Sequence, residues 1–462
     1  MNRLSRNLLS LFFGDIARRI LGFISVAFLA RSLGTDGFGL VNLGFAVLAY
    51  GSILSTAGFT TLGTKRIARG ASPAIAEQII GGRLTTTLVV FAAITCVTLL
   101  AVHNGTSAWL IVLFLCSLFP QIFFLDWYFQ GKEHMSTVVI GRIVSSAFYL
   151  GVIVLFIRSS NDALWVALGA ILGDCAAALW LFLAFRRENP ALRIRVSLSL
   201  SLLKKSLPLA VGVILATLTI NFPPLILGAV RTNTDVGIYS AASKLVFFLL
   251  VGDRILFSLL LPASARKQTE SVHSFRIVLQ DALRWILLLC LPVAVGGTLL
   301  GEQLIILVFG AEYAGAGVVF CVFIWYFFLT MLHTVYTAGL ISAGKEKPYG
   351  RNMAITAVAY GIFVSLGSVW YGAIGAAAGV VIAEGFSIIL MHRSLVTTIP
   401  LRFPDKTFRI LLSAVLMVLC VCAFRSGDLW LTIVAGAGCY GVSVFILRAF
   451  TAADAKSLLA RL

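Results

Sequence analysis

The sequence predicts an all-α polytopic membrane protein, and three observations carry that prediction. Fourteen stretches are each long and apolar enough to cross a bilayer, the chain is 60% hydrophobic against 12% charged, and its basic residues gather on one side of the expected membrane. A spanning helix needs about 20 apolar residues for a hydrocarbon core about 30 Å thick. An ordinary soluble domain is roughly 25% charged.

The segments cover residues 8–30, 38–59, 84–102, 108–128, 137–157, 163–184, 207–230, 238–263, 285–300, 316–341, 353–371, 373–391, 410–424 and 429–447. With loops numbered from a cytoplasmic N-terminus, and Arg142 near the start of segment 137–157 counted with its loop, 28 of the 36 Lys and Arg fall inside and only Arg31, Arg158, Arg231 and Arg425 outside. The remaining four, Arg18, Arg19, Lys244 and Arg254, lie within segments. That asymmetry sets orientation, and the even segment count returns the C-terminus to the cytoplasm. The net charge of +17 is therefore read as facing anionic headgroups and not a nucleic acid. No secretory signal is expected, because the first apolar stretch carries Asp15, Arg18 and Arg19 and continues as a full span.

All eight cysteines fall in apolar segments, where a free Cys packs as a small hydrophobe. The five histidines are scattered, so no zinc site is expected. No G-x-x-x-x-G-K-S/T phosphate loop, nucleophile elbow or zincin motif occurs. The expectation is a protein that is not an enzyme and holds no cofactor, with proton or sodium coupling as its energy source.

The chain repeats itself. Arg31 to Gly39, with Thr35-Asp36-Gly37-Phe38, corresponds to Arg231 to Tyr239, with Thr234-Asp235-Val236-Gly237-Ile238. Gly131-Lys132-Glu133 corresponds to Gly344-Lys345-Glu346, and the sixth and twelfth segments each carry one acid near mid-depth, Asp174 and Glu384. The matches always lie six segments apart, which indicates duplication. An even unit makes the repeats parallel: an N-lobe (1–184), a cytoplasmic linker (185–206) with six basic residues, a C-lobe (207–392), and two further helices with a tail (393–462).

Buried charges are the candidate functional residues, since one at the centre of a lone helix costs about 2.5–3.5 kcal/mol on insertion scales. Asp15 and Arg19 are i, i+4 and Arg18 is i+3 to Asp15, which leaves a surplus cation roughly 10 to 16 Å into the first segment. The eighth segment adds Lys244, Asp253 and Arg254. Arg18, Arg19, Lys244 and Arg254 are expected to line a cationic cleft. Mutual neutralisation that merely locks helices together is the competing account of Asp15 and Arg19. Asp126, near a segment end, can snorkel to the interface. Asp174 and Glu384 are packing groups or proton-coupling sites. Pro120, Pro223-Pro224 and Pro292 each remove an interior helix hydrogen bond and should bend the fourth, seventh and ninth segments.

Several runs resemble a known family. Ala30 to Gly39 with Gly58-Phe59 and Lys65-Arg66-Ile67-Ala68-Arg69 is similar to the opening of bacterial polysaccharide-biosynthesis flippases of the O-antigen (Wzx) type, in the MATE-like (MOP) superfamily. Asp126 to Met135, Val236 to Ala242, Gly301-Glu302 and Phe309-Gly310-Ala311-Glu312-Tyr313 resemble later parts of that family. The resemblance covers most of residues 5–395 and implies two six-helix lobes in a V shape with alternating access. It implies carriage of an undecaprenyl-pyrophosphate-linked oligosaccharide from the cytoplasmic to the periplasmic leaflet of the bacterial inner membrane. Membrane lipids, a polysaccharide polymerase and a chain-length regulator are the implied partners. Pyrophosphate leaving water needs compensating charge, which suits a cationic cleft. Fourteen segments depart from the commoner twelve and are similar to the peptidoglycan-precursor (lipid II) branch, which stays open as a substrate class. A multidrug antiporter of the superfamily would favour an acidic cleft, and a glycan polymerase or ligase would need larger outside loops than these.

Overall fold

The computed structural model describes residues 3–102, 105–190, 204, 206, 220–397, 399–401, 406–424 and 428–450; the side chains of residues 3–19 and 161 lie outside that description. Among the described residues the chain is helical and contains no strand. This is the predicted fold class.

Two helices are too long to be single spans. Helix α1 (Arg3–Thr56) has 54 residues, which would extend about 80 Å if straight. It is interrupted at Gly34, whose φ of 66° and ψ of −179° only glycine adopts readily. It is followed by α2 (Phe59–Ala68), α3 (Ile75–Ala101), α4 (Gly105–Leu115), α5 (Leu118–Gln121), α6 (Asp126–Gly131), α7 (Met135–Phe156) and α8 (Ala163–Glu188). Then come α9 (Ile220–Val230), α10 (Asn233–Leu249), α11 (Val251–Glu270), α12 (Val272–Phe309), α13 (Ala316–Ser342), α14 (Glu346–Val396), α15 (Thr407–Phe424) and α16 (Leu429–Ile446). Helix α14 turns at Gly372 (φ 56°), and its halves pack against each other through glycine. A methyl group at Gly367 or Gly375 would overlap the carbonyl of the other, and Gly379 lies on the Phe363 carbonyl. Small residues that let backbones approach are how membrane helices pack without a hydrophobic drive between them.

Ten helices among the described residues are long and apolar enough to span. Two of them, α1 and α14, hold two predicted segments apiece. The fourth and seventh segments are the shorter apolar stretches Gly105–Gln121 and Ile220–Val230. The fourteen are thus accounted for, with different joints. The bend expected at Pro120 is an interruption: α4, α5 and α6 are separate helices, with the Gln121 to Leu125 stretch between the last two. Pro292 lies within α12, which continues as one 38-residue helix. The third segment begins at Ile75, so Arg83, taken above as a loop residue, lies two turns inside α3.

The chain divides into two compact units, Met1–Ser240 and Ala241–Leu462. The expected linker at 185–206 and the start of the C-lobe fall mostly outside the described residues. In the first unit α7 packs on α8 and α1, and Phe59, Trp127, Tyr128, Phe129 and Phe185 form a buried aromatic core. In the second unit α13 packs on α11, α12 and α14. Helices α15 and α16 pair and seat on α12, where Leu300 meets Met417 and Val421, and Tyr440 Oη donates to the Leu288 carbonyl at 2.7 Å.

The repeat is visible in backbone geometry. The helix-ending turns at Phe129–His134 and Leu340–Lys345 close alike, with His134 N donating to Phe129 O at 2.8 Å and Lys345 N to Leu340 O at 2.9 Å. The left-handed residue is Glu133 (φ 61°) in one and Gly344 (φ 69°) in the other, as a Schellman-type ending requires. Geometry therefore aligns Glu133 with Gly344, two positions off the letter match.

Candidate functional site

Among the described residues each unit holds a cluster of charged and polar side chains within its apolar helices. In the first, the interruption after Pro120 exposes carbonyls that an ordinary helix would satisfy, and Arg83 fills the gap. Its guanidinium donates to the Phe124 carbonyl at 3.1 Å and to the Gln121 carbonyl, and the residue is almost fully buried. Gln121 is held in turn: Ser52 Oγ donates to its Oε1 at 2.8 Å, and its Nε2 donates to Asp174 Oδ2 at 2.9 Å. Ser145 also hydrogen-bonds Asp174. Asp126 opens α6 between the cations Arg83 and Arg142 and is half-buried. Asp126, Arg142, Ser145, Ser146 and Asp174 line a cavity of about 170 Å³, whose other walls are apolar.

The second unit joins Asp253 of α11, His333 and Thr334 of α13, and Glu384 of α14. His333 Nδ1 lies 2.6 Å from Glu384 Oε1, and Thr334 Oγ1 donates to Asp253 Oδ1. Adjacent residues on a helix point about 100° apart, so His333 and Thr334 reach two different helices. Asp253 is also in electrostatic contact with His333, Glu384 and Arg254, and buried Tyr326 with both acids. His333 Nε2 is buried and makes no hydrogen bond among the described residues. An imidazole with one nitrogen on a carboxylate and the other unengaged can gain or lose a proton without rearranging its neighbours.

The expected site residues divide accordingly. Asp126 and Asp174 share one cluster, and Asp253, Glu384 and Arg254 the other. Lys244 is half-buried on α10, before the break at Leu250, with no ion pair among the described residues. Arg254 is exposed. The side chains of Asp15, Arg18 and Arg19 lie outside the described residues. The sequence reading missed Arg83, Arg142, Gln121 and His333, along with the hydroxyls of Ser52, Ser145, Ser146 and Thr334. Arg83 counts as a loop cation because its segment edge falls too late, and Arg142 because it stands close to the start of its segment. Gln121 and His333 carry no surplus charge in an apolar run, and only their offsets from Asp174 and Glu384 could have drawn attention to them.

At the ends of the spans the units are also tied alike. Lys132 Nζ and His134 Nδ1 lie 3.0 and 3.1 Å from Glu188, at the end of α8. Lys345 Nζ donates to the Ser394 carbonyl at 3.0 Å and to Thr397 Oγ1 at 2.7 Å, at the end of α14.

Fourteen apolar segments in parallel repeats, each repeat closed around a buried polar cluster, define a polytopic membrane protein of the MATE-like fold. The chain belongs to the polysaccharide biosynthesis protein family, whose description matches residues 4–268. It is 25% identical over 256 residues to a candidate O-antigen transporter of Escherichia coli, a match covering 53% of this chain and 61% of that protein. The chain thus spans about three fifths of the length of the curated relative it matches. The fold is shared with the lipid II flippase MurJ in an inward closed conformation, at a TM-score of 0.77 and 14% identity, covering 96% of this chain and 99% of that one. It is shared too with an inward-facing multidrug resistance MATE family transporter of the MOP superfamily, at a TM-score of 0.65 and 16% identity, covering 82% and 95%.

Proposed function

We propose that the chain is a secondary transporter that flips an undecaprenyl-pyrophosphate-linked oligosaccharide from the cytoplasmic to the periplasmic leaflet of the bacterial inner membrane. It works by alternating access, with both termini cytoplasmic, and hands its cargo to a polymerase and a chain-length regulator. Family membership supports the cargo class. The observation that supports the coupling is the His333–Glu384–Asp253 cluster, a set of titratable side chains brought together by spanning helices. A membrane potential supplies about 2.3 kcal/mol per charge per 100 mV, enough to bias two conformers. Arg18, Arg19, Lys244 and Arg254 are the candidates for compensating the pyrophosphate, and an Arg fork does so more specifically than a Lys point charge.

The test is surface glycan display in a strain lacking its own flippase, with protein levels checked in membranes. Arg18→Ala and Lys244→Ala should each abolish display at matched abundance, Arg18→Lys should retain part of it, and Arg18→Glu none. Normal display from both alanine variants removes these cations from the substrate site. Purified protein in liposomes should flip faster with an inward proton gradient; equal flux with and without proton and sodium gradients overturns the coupling.

One observation favours a second cargo of the same chemistry. The likeness to the lipid II flippase extends over nearly the whole of both chains. Growth rescue of cells depleted of their peptidoglycan-precursor flippase, without rescue of glycan display, would assign that cargo instead.

A further inference from the structure

Helices α1 and α10 cross inside the unit Met1–Ser240, and they do so backbone on backbone. A methyl group at Gly39 would overlap the Asn233 carbonyl, and one at Gly237 would overlap the Thr35 carbonyl. The contact is reciprocal. Thr35 and Asn233 stand 198 positions apart, and so do Gly39 and Gly237, so the two repeats offer each other the same pair of places. This is where the repeated Thr-Asp loops of the sequence go, and neither polar cluster uses them.

Two further features mark the crossing as a joint. Each helix enters it directly after a backbone break. The second half of α1 starts at Thr35, next to Gly34 with its φ of 66°. Helix α10 starts at Asn233, and its first turn is held by Thr232 Oγ1, which accepts from Asp235 N at 3.2 Å and donates to Asp235 Oδ2 at 3.0 Å. A rod that begins at a break can swing as a unit about its end. At the glycine faces themselves the nearest atoms are backbone, chiefly carbonyl oxygens, and such contacts attract weakly. A neighbouring glycine contact differs: a methyl at Gly228 would meet only the flexible side-chain end of Leu43.

We propose that the Gly39–Gly237 crossing is the gate at the outer end of these helices, closed as seen here and parted once in each transport cycle. Gly39 and Gly237 act as positioning residues, since any side chain at either place holds the two backbones apart. The proposal rests on the alternating-access reading, and its test needs no substrate.

Ser240 lies one turn past Gly237 on the same side of α10 and is buried. In full-length protein with the eight native cysteines replaced by alanine, Ser240→Cys reports on the crossing through a membrane-impermeant maleimide. Adding Gly39→Ala or Gly237→Ala should raise labelling in intact cells by at least about fivefold, the low end of an ordinary conformational coupling. Labelling in inside-out vesicles should not rise, and Gly228→Ala should leave both unchanged. If only one alanine variant accumulates, that one reads the same crossing. Unchanged labelling at matched abundance would make the crossing a fixed pivot and overturn the gate. Failure of both variants to accumulate would make it packing needed for folding, and overturns the gate equally. Should the parent chain fail to restore glycan display while labelling responds as expected, the export reading falls and the gate stands.

Discussion

In the first unit Ser52, Gln121 and Asp174 meet from the second, fourth and sixth segments; in the second unit Asp253, His333 with Thr334, and Glu384 meet from the eighth, tenth and twelfth. The same three places are occupied by different chemistry. Gln121 gives Asp174 an amide that cannot change its charge, and Arg83 bolts the interrupted helix beside it to two carbonyls. His333 gives Glu384 a partner whose charge depends on one proton. Duplication supplied one arrangement twice, and substitution has left one acid beside an amide of fixed charge and the other beside an imidazole that can take up a proton.

The strongest way to break this comparison is to remove the brace. Arg83→Met leaves two carbonyls without their donor and Asp126 without one of its two neighbouring cations, and removing one partner of a buried charged set costs about 3–5 kcal/mol. Thermal unfolding in detergent should show a large loss, or the variant should fail to accumulate; wild-type stability would mean the brace is ornamental. Next, Glu384→Gln should lower proton-driven flux by about 100-fold at matched abundance, near the upper range of coupling free energies. Asp174→Asn should lower it only a few fold on the same scale. Equal losses would erase the distinction between the units. His333→Gln sharpens it further, since it installs the first unit's chemistry in the second: the protein should fold, and its flux should lose dependence on the proton gradient.

Smaller effects probe the packing that presents the clusters. Gly375→Ala forces apart the two halves of α14, one of which carries Glu384, and overpacking of this kind costs about 1–3 kcal/mol. A melting temperature equal to wild type would show that the hairpin can open without loss. The smallest effect is expected outside the membrane at Asp162. The backbone N–H groups of Arg158 and Ser159 donate to its carboxylate at 2.9 and 2.8 Å and hold its pKa below the usual carboxylate value. A depressed folded-state pKa adds stability above the unfolded value, and that stability is lost as pH falls through the folded one. Asp162→Asn should therefore be slightly less stable than wild type near neutrality and equal to it in strong acid. A gap that persists in acid would refute the carboxylate's role.

Sequence alone determined that this chain is an all-α polytopic membrane protein, that its basic residues are sorted unevenly among the loops, and that it is built from a repeat. Those properties follow from local composition: bilayer thickness fixes segment length, headgroup charge sorts Lys and Arg, and both are written residue by residue. Asp174 and Glu384 were legible as candidates for the same reason, since an acid in an apolar run is conspicuous. Tertiary structure decided their partners. Arg83 was hidden by a segment edge nine residues too late, and Gln121 and His333 by being neutral or ordinary in composition. Which nitrogen faces which carboxylate depends on helices more than 50 residues apart in sequence coming within 3 Å. The repeat likewise gave its register only in three dimensions. Letters matched Gly37 to Gly237, but the backbones meet at Gly39, because close approach tests for the missing side chain and a sequence comparison tests only for the letter.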